Sequence, residues 1–149
     1  MSVINQYFSA DHHRLDQLYS AFASQLASDL SSARAYFNAF SQGLLRHIDW
    51  EEQVLFPFFE QQTGISQGPT RVMCVEHRQI KQCLLQINNA IELTHEVITS
   101  ELPAMTELQQ ILLQHNQKEE QILYPIIDQQ CKELAAAQLF LKMLTTQVR

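Results

Sequence analysis

His47-Ile-Asp-Trp-Glu-Glu-Gln-Val-Leu-Phe-Pro57 is echoed by His115-Asn-Gln-Lys-Glu-Glu-Gln-Ile-Leu-Tyr-Pro125. Each stretch reads histidine, three residues, Glu-Glu-Gln, an aliphatic residue, leucine, an aromatic residue and proline. A weaker pair lies upstream: Asp11-His12-His13-Arg14-Leu15 matches Glu76-His77-Arg78-Gln79-Ile80. The chain therefore reads as two similar helical hairpins. Each carries one histidine on its first helix and a His/Glu pair on its second. Two copies mean duplication of half a bundle, since a solenoid needs three or more stacked units.

Apolar residues recur at helical spacing around these motifs. Ile4, Phe8, Leu15, Tyr19, Phe22 and Leu26 line one stripe. Phe37, Phe40, Leu44, Val54, Leu55 and Phe58 line a second. Met73, Ile80, Leu84, Ile87 and Ile91 form a third, and Leu108, Ile111, Leu112, Ile122 and Ile126 a fourth. A shorter fifth stretch runs from Leu134 through Leu139, Phe140 and Met143 to Leu144. Ser28-Asp-Leu-Ser-Ser32 offers cap residues between the first two helices. Thr63-Gly-Ile-Ser-Gln-Gly-Pro69 is a clear loop. Thr99-Ser100, followed by Glu101 and Pro103, reads as an N-cap opening the fourth helix. No strand pattern is present. Short connections between long helices predict an all-α, up-down-up-down four-helix bundle with an extra C-terminal helix. Pro57 and Pro125 each remove a backbone donor and are expected to kink or stop their helices.

Histidine and glutamate four residues apart share one helix face. His47 and Glu51 fall inside the second apolar stripe, and His115 and Glu119 inside the fourth. His12 and His77 lie beside the first and third stripes with the same offset. Glu52 and Glu120 sit about 100° further round and are expected to be solvated. His13 and His95 read as surface residues. Depth along the bundle is a separate test, because two residues on antiparallel helices are level when the turn lies midway between them. The midpoints of His12–His47, Glu51–His77 and His77–His115 fall near residues 29, 64 and 96, close to the inferred breaks. Four histidines and two glutamates are thus expected to meet at one level inside the bundle.

Bulk properties narrow the function classes. With 149 residues, the chain suits one domain, 1–149, at about 100–200 residues per domain. A net charge of −6 disfavours a nucleic-acid binder that works by neutralising phosphates. No apolar run approaches the roughly 18 residues of a membrane-spanning helix. The opening Met1-Ser-Val-Ile-Asn-Gln-Tyr-Phe lacks a signal-peptide pattern. Cys74, Cys83 and Cys131, at unrelated spacings, read as reduced thiols of a cytosolic protein.

Buried carboxylates are costly unless paired or bound to metal. Imidazole and carboxylate together suit iron, manganese or zinc, and helical bundles build such sites from facing helices. His–Glu pairing without metal, in a structural or interaction bundle, is the competing account. Asp11 and Glu76 each precede a candidate histidine and read either as its partners or as part of a solvated face. Ligation requires neutral imidazoles and ionised glutamates, so metal loss is expected once the histidines charge, below a pH of roughly 6–7.

These residues resemble the hemerythrin-like (HHE cation-binding) family over about residues 4–128. The resemblance implies a four-helix bundle holding two iron ions with an oxo or hydroxo bridge, manganese and zinc being possible in the same ligands. It implies His12, His47, His77 and His115 as nitrogen ligands, with Glu51 and Glu119 as bridging carboxylates. Oxygen, nitric oxide or peroxide would be the partner, for reduction or for reversible sensing or carriage. The oxygen-carrying members have a further His-x-x-x-His on the third helix and His-x-x-x-x-Asp on the fourth. Here Lys81 and Glu120 stand at those positions. The four-His, two-Glu set is closer to di-iron proteins that repair iron–sulfur clusters under stress. With fewer histidines than the carriers, each iron is left one exchangeable position.

Overall fold

The computed structural model describes residues 2–146. These residues form helices and no strand. Helix α1 is Val3–Gln25. Helix α2 spans 30–63 as an α-helix Leu30–Trp50, a π-helical turn Glu51–Leu55 and an α-helix Phe56–Thr63. Helix α3 is Pro69–Glu92. Helix α4 spans 103–130 as Pro103–Lys118, a π-helical turn Glu119–Leu123 and Tyr124–Gln130. A short α5, Glu133–Thr145, completes the expected extra helix. Helix α1 packs along α2 and α3 along α4, giving the bundle of two hairpins. Among the described residues no helix is long and apolar enough to cross a membrane.

Local chemistry sets the helix ends. Asp29 caps α2 by accepting from the Ser32 N–H at 3.1 Å. Gly64 ends α2 with φ 72°, a left-handed conformation that only glycine adopts cheaply. The expected Thr99-Ser100 cap does not form. Leu102, extended and without a side-chain cap bond, precedes Pro103, whose missing N–H costs nothing at the first helical position. The connection 93–102 is tied down by Arg34, which donates to the carbonyls of Ile91 and Thr94, and by the Ile98 N–H bonded to the Leu26 carbonyl. The start of α1 is capped from another helix: Asp128 of α4 accepts from the N–H groups of Ile4 and Asn5, both at 2.9 Å.

The prolines do not stop their helices. An α-helical turn would drive the proline ring into the carbonyl four residues back. Instead each helix widens just before the proline. The Phe56 N–H bonds to the Glu51 carbonyl and the Tyr124 N–H to the Glu119 carbonyl, five residues back in both cases. This corrects the apolar stripes beyond Glu51 and Glu119. Phe59, Leu123 and Ile127 are buried where uninterrupted α-periodicity selected Phe58, Ile122 and Ile126, and Ile122 is 55% exposed. The extra residue of each π turn moves the inward face on by one position.

Two apolar clusters fill the interior. Phe22, Phe37, Phe40, Leu44, Ile80, Leu84, Ile87 and Leu108 belong to one. Ile4, Phe8, Val54, Leu55, Phe56, Phe59, Met73, Leu123 and Ile127 belong to the other, where Leu139 and Met143 of α5 join. Each large apolar side chain fully removed from water contributes roughly 1.5–3 kcal/mol. Between them lies a layer of buried polar residues. Leu134 and Leu144 of the fifth stretch are exposed, its buried side being Ala136, Leu139 and Met143.

Removing the cross-helix cap is expected to matter. Asp128→Ala should destabilise the protein by about 1–2 kcal/mol, the usual range for a lost N-cap. Urea unfolding measures it, and an unchanged midpoint would show that the cap carries no weight.

Candidate metal centre

All six residues singled out by the repeat converge. His12 comes from α1, His47 and Glu51 from α2, His77 from α3, and His115 and Glu119 from α4. All are buried, and both glutamates are fully so. They form two overlapping sets whose donor atoms lie within 4.8 Å of one another: His12, His47, Glu51 and Glu119, and Glu51, His77, His115 and Glu119. The glutamates belong to both. Glu51 places Oε2 at 3.6 Å from His47 Nε2 and Oε1 at 3.1 Å from His77 Nε2. Glu119 places Oε1 at 3.2 Å from His12 Nε2 and Oε2 at 3.3 Å from His115 Nε2. Each carboxylate therefore turns one oxygen to each pair of histidines.

The outward nitrogens are equally ordered. His47 Nδ1 meets Asp11 at 2.8 Å and His115 Nδ1 meets Glu76 at 2.8 Å. His77 Nδ1 meets Glu52 and His12 Nδ1 meets Glu120, both at 2.7 Å. A carboxylate at Nδ1 holds the proton there and leaves the Nε2 lone pair facing inward, the arrangement found around metal-bound histidines. Asp11 and Glu76 are thus partners of histidines, each on the neighbouring helix of its own hairpin. Glu52, 20% exposed, corrects the expectation of a solvated side chain, whereas Glu120 stays 39% exposed while it also reaches His12. Each leaves the apolar face of its own helix but reaches a histidine on another. Arg14 pairs with Asp11 and Lys118 with Glu76.

Tyr124 was not distinguished by the repeat, which reads only an aromatic residue there. Its hydroxyl donates to Glu51 Oε2 at 2.6 Å and lies 3.1 Å from Glu119 Oε1, 3.2 Å from His47 Nε2 and 3.3 Å from His12 Nε2. The matching residue in the other half, Phe56, stacks on His77 at 5.8 Å with an interplanar angle of 8°. The usable signal was the Phe/Tyr difference within an otherwise matching motif. Phe8 meets His47 edge-on at 5.2 Å. Trp50 packs on Phe8 and under Arg46, and touches none of the six. His13 and His95 are exposed, as expected.

Proton affinities follow from this packing. Burial alone would lower the His47 pKa, but the charge of Glu51 and the hydrogen bond to Asp11 overcome it and raise the value to about 10. Burial opposes a charged His77 too, and the nearby carboxylates of Glu51 and Glu52 raise it to about 9. His115 is raised against burial by Glu119. Burial pushes Glu51 upward, yet His47 and the surrounding hydrogen bonds hold it well below the usual carboxylate range. Tyr124 is raised well above the ordinary phenol value by burial and by both glutamates.

Three donor atoms give an independent test of metal fit. Glu51 Oε1, His77 Nε2 and Glu119 Oε2 are buried and have no hydrogen-bond partner. His77 Nε2 lies close to Glu51 Oε1, but off the line a hydrogen bond requires. Orphaned polar atoms cost free energy in a core, and all three face the interior of the cluster. A cation answers that cost. Cys74 joins Glu52 and His77 in a third, less buried group. Burial and the nearby carboxylates push its thiol up to about 11, so it is a protonated, poor ligand at neutral pH. All three cysteines are free.

The family model described as hemerythrin HHE cation binding domain matches residues 3–127. No curated protein and no solved structure gives a match.

Two outcomes follow from this geometry. In protein stripped of metal, His47 and His77 have folded-state pKa values above the ordinary 6.5. Their contribution to stability is fully present below that pH and is lost as pH rises through about 9 and 10. Glu51 is depressed, so its contribution is present above the ordinary 4.5 and lost in acid. Denaturant unfolding of chelator-treated protein should therefore be hardest between those limits and easier at alkaline pH; a flat alkaline limb would contradict it. Separately, Glu120→Ala should weaken metal affinity by about 10–100-fold, as loss of a histidine's outer partner does. Competition with a chromophoric chelator reads this directly, and an unchanged affinity would remove Glu120 from the centre.

Proposed function

The chain belongs to the hemerythrin HHE cation-binding family, and from that premise we propose that it holds two iron ions and binds or reduces oxygen, nitric oxide or peroxide. His12 and His47 would hold one ion, and His77 and His115 the other. Glu51 and Glu119 would bridge them. The observation that carries this reading is the division of each glutamate, one oxygen toward each histidine pair. Iron in such a donor set supplies one-electron redox chemistry and open positions for small exogenous ligands.

The protein's own groups do the rest. Asp11, Glu52, Glu76 and Glu120 hold all four imidazoles at Nδ1, so the inward nitrogens are aimed before any ion arrives. The two apolar clusters exclude water above and below the layer. Phe8 packs edge-on against His47 and Phe56 stacks on His77, and the two rings would restrict approach to small molecules. Glu120 stands where the oxygen carriers have an aspartate ligand. Its carboxylate is engaged with His12 Nδ1 and faces away from the centre. This supports redox chemistry or nitrosative-stress defence, including repair of iron centres, over simple oxygen carriage. The free thiols support a reducing compartment such as the cytosol.

Metal analysis of purified protein should find about two ions per chain, the number that two histidine pairs sharing two carboxylates accommodate. His47→Ala and Glu119→Ala should each lower occupancy while circular dichroism stays helical. Full metal content in both variants would overturn the ligand assignment. Because ions compete with protons on raised imidazoles, apparent affinity should climb by at least tenfold between pH 6 and 8. An affinity independent of pH over that interval would contradict proton competition.

A further inference from the structure

The two halves of the cluster match in their four histidines, their two buried glutamates and the carboxylate at each imidazole Nδ1, but not in the aromatic residue that follows. Where α2 has Phe56, α4 has Tyr124. The phenol oxygen lies within 3.3 Å of His12 Nε2, His47 Nε2, Glu51 Oε2 and Glu119 Oε1. These four residues are one of the two sets able to hold an ion. An ion bonded to such donors stands about 2.0–2.2 Å from each. The phenol oxygen already lies within 3.3 Å of all four of the donors that such an ion would take. The tyrosine is enclosed by its neighbours. It is fully buried, with Phe8 at 5.4 Å and His12 at 5.7 Å from its ring, and its backbone is fixed by the π turn.

We infer that Tyr124 is itself a ligand of the ion held by His12 and His47, so that exogenous ligands enter only at the ion held by His77 and His115. This rests on the two-ion reading above. It replaces the expectation of one open position on each ion. On metal binding the phenol proton, now donated to Glu51 Oε2, leaves to solvent, and the oxygen takes up the ion in its place; no electron moves. The other half has a hydrocarbon ring at the matching place. Phe56 offers no donor atom, so a coordination position stays open beside His77.

The test uses the whole chain, wild type and Tyr124→Phe, each loaded with ferrous iron and oxidised in air. Wild type should hold about two irons and show a visible phenolate-to-iron charge-transfer band. Raman scattering excited in that band should be enriched in tyrosine ring modes, a readout that needs no variant. Tyr124→Phe should lose the band, whether it keeps both irons or only the one at His77 and His115. Azide titration should saturate near one equivalent per chain in wild type, and near two in a variant that keeps both irons. Iron-loaded wild type without the band, or a Tyr124→Phe protein that retains it, overturns the assignment and leaves the two-ion reading standing. Wild type that takes up no iron overturns the two-ion reading, and this inference with it.

Discussion

Two carboxylates with no exposure to solvent sit in the middle of a helical core. Ionised and alone, each would cost several kcal/mol of desolvation. The rest of the molecule is arranged around that cost. All four long helices bring an imidazole to the same layer, and each imidazole is held from outside by a further carboxylate. Six acidic groups surround four histidines, and Asp11 and Glu76 also meet a basic side chain, Arg14 and Lys118. With the imidazoles neutral, as ligation requires, the carboxylates carry an excess of negative charge in a region of low dielectric, and that charge favours cations. The orphaned Glu51 Oε1, Glu119 Oε2 and His77 Nε2 mark where they would sit.

The π turns connect this polar layer to the fold. Up to Glu51 and Glu119 the helices keep α spacing, so His47 shares a face with Glu51 and His115 with Glu119. Immediately beyond, the wider turn resolves the clash that Pro57 and Pro125 would create and swings Phe56 and Tyr124 inward. One local device thus does two things: it keeps the helix continuous through a proline, and it adds an aromatic side chain to the site. An α-helix would carry residues 56 and 124 away from the face that bears the glutamates.

This also explains what the amino-acid order revealed and what it withheld. The duplicated motif and its periodicity were enough to place His12, His47, Glu51, His77, His115 and Glu119 in one layer, because those relations depend on regular helix geometry alone. Phe59, Leu123 and Ile127 were displaced by one position from expectation, because periodicity counts residues and cannot see a turn of different width. Glu52 and Glu120 were assigned to solvent for another reason. Position on one helix says which way a side chain leaves, not which neighbour it meets. Their partners, His77 and His12, lie on helices from the opposite hairpin. The loop before α4 was misread similarly, since Thr99 and Ser100 are good caps in isolation while Pro103 needs none.

Duplication gives the protein two copies of one half-site, and exact copies would make equivalent ions. The outer carboxylates preserve that equivalence: Asp11 and Glu76 play the same role, as do Glu52 and Glu120. So do the cations on the outer pair, Arg14 and Lys118. Tyr124 and Phe56 break it at the centre itself. A hydroxyl that reaches four donors in one half, and a bare ring stacked on a histidine in the other, would not leave two bound ions chemically alike. The Phe/Tyr exchange changes one oxygen atom and no volume of consequence, so packing does not account for it. On the two-ion reading, the difference would divide the labour, one half being saturated by the protein and the other left open to what arrives from outside.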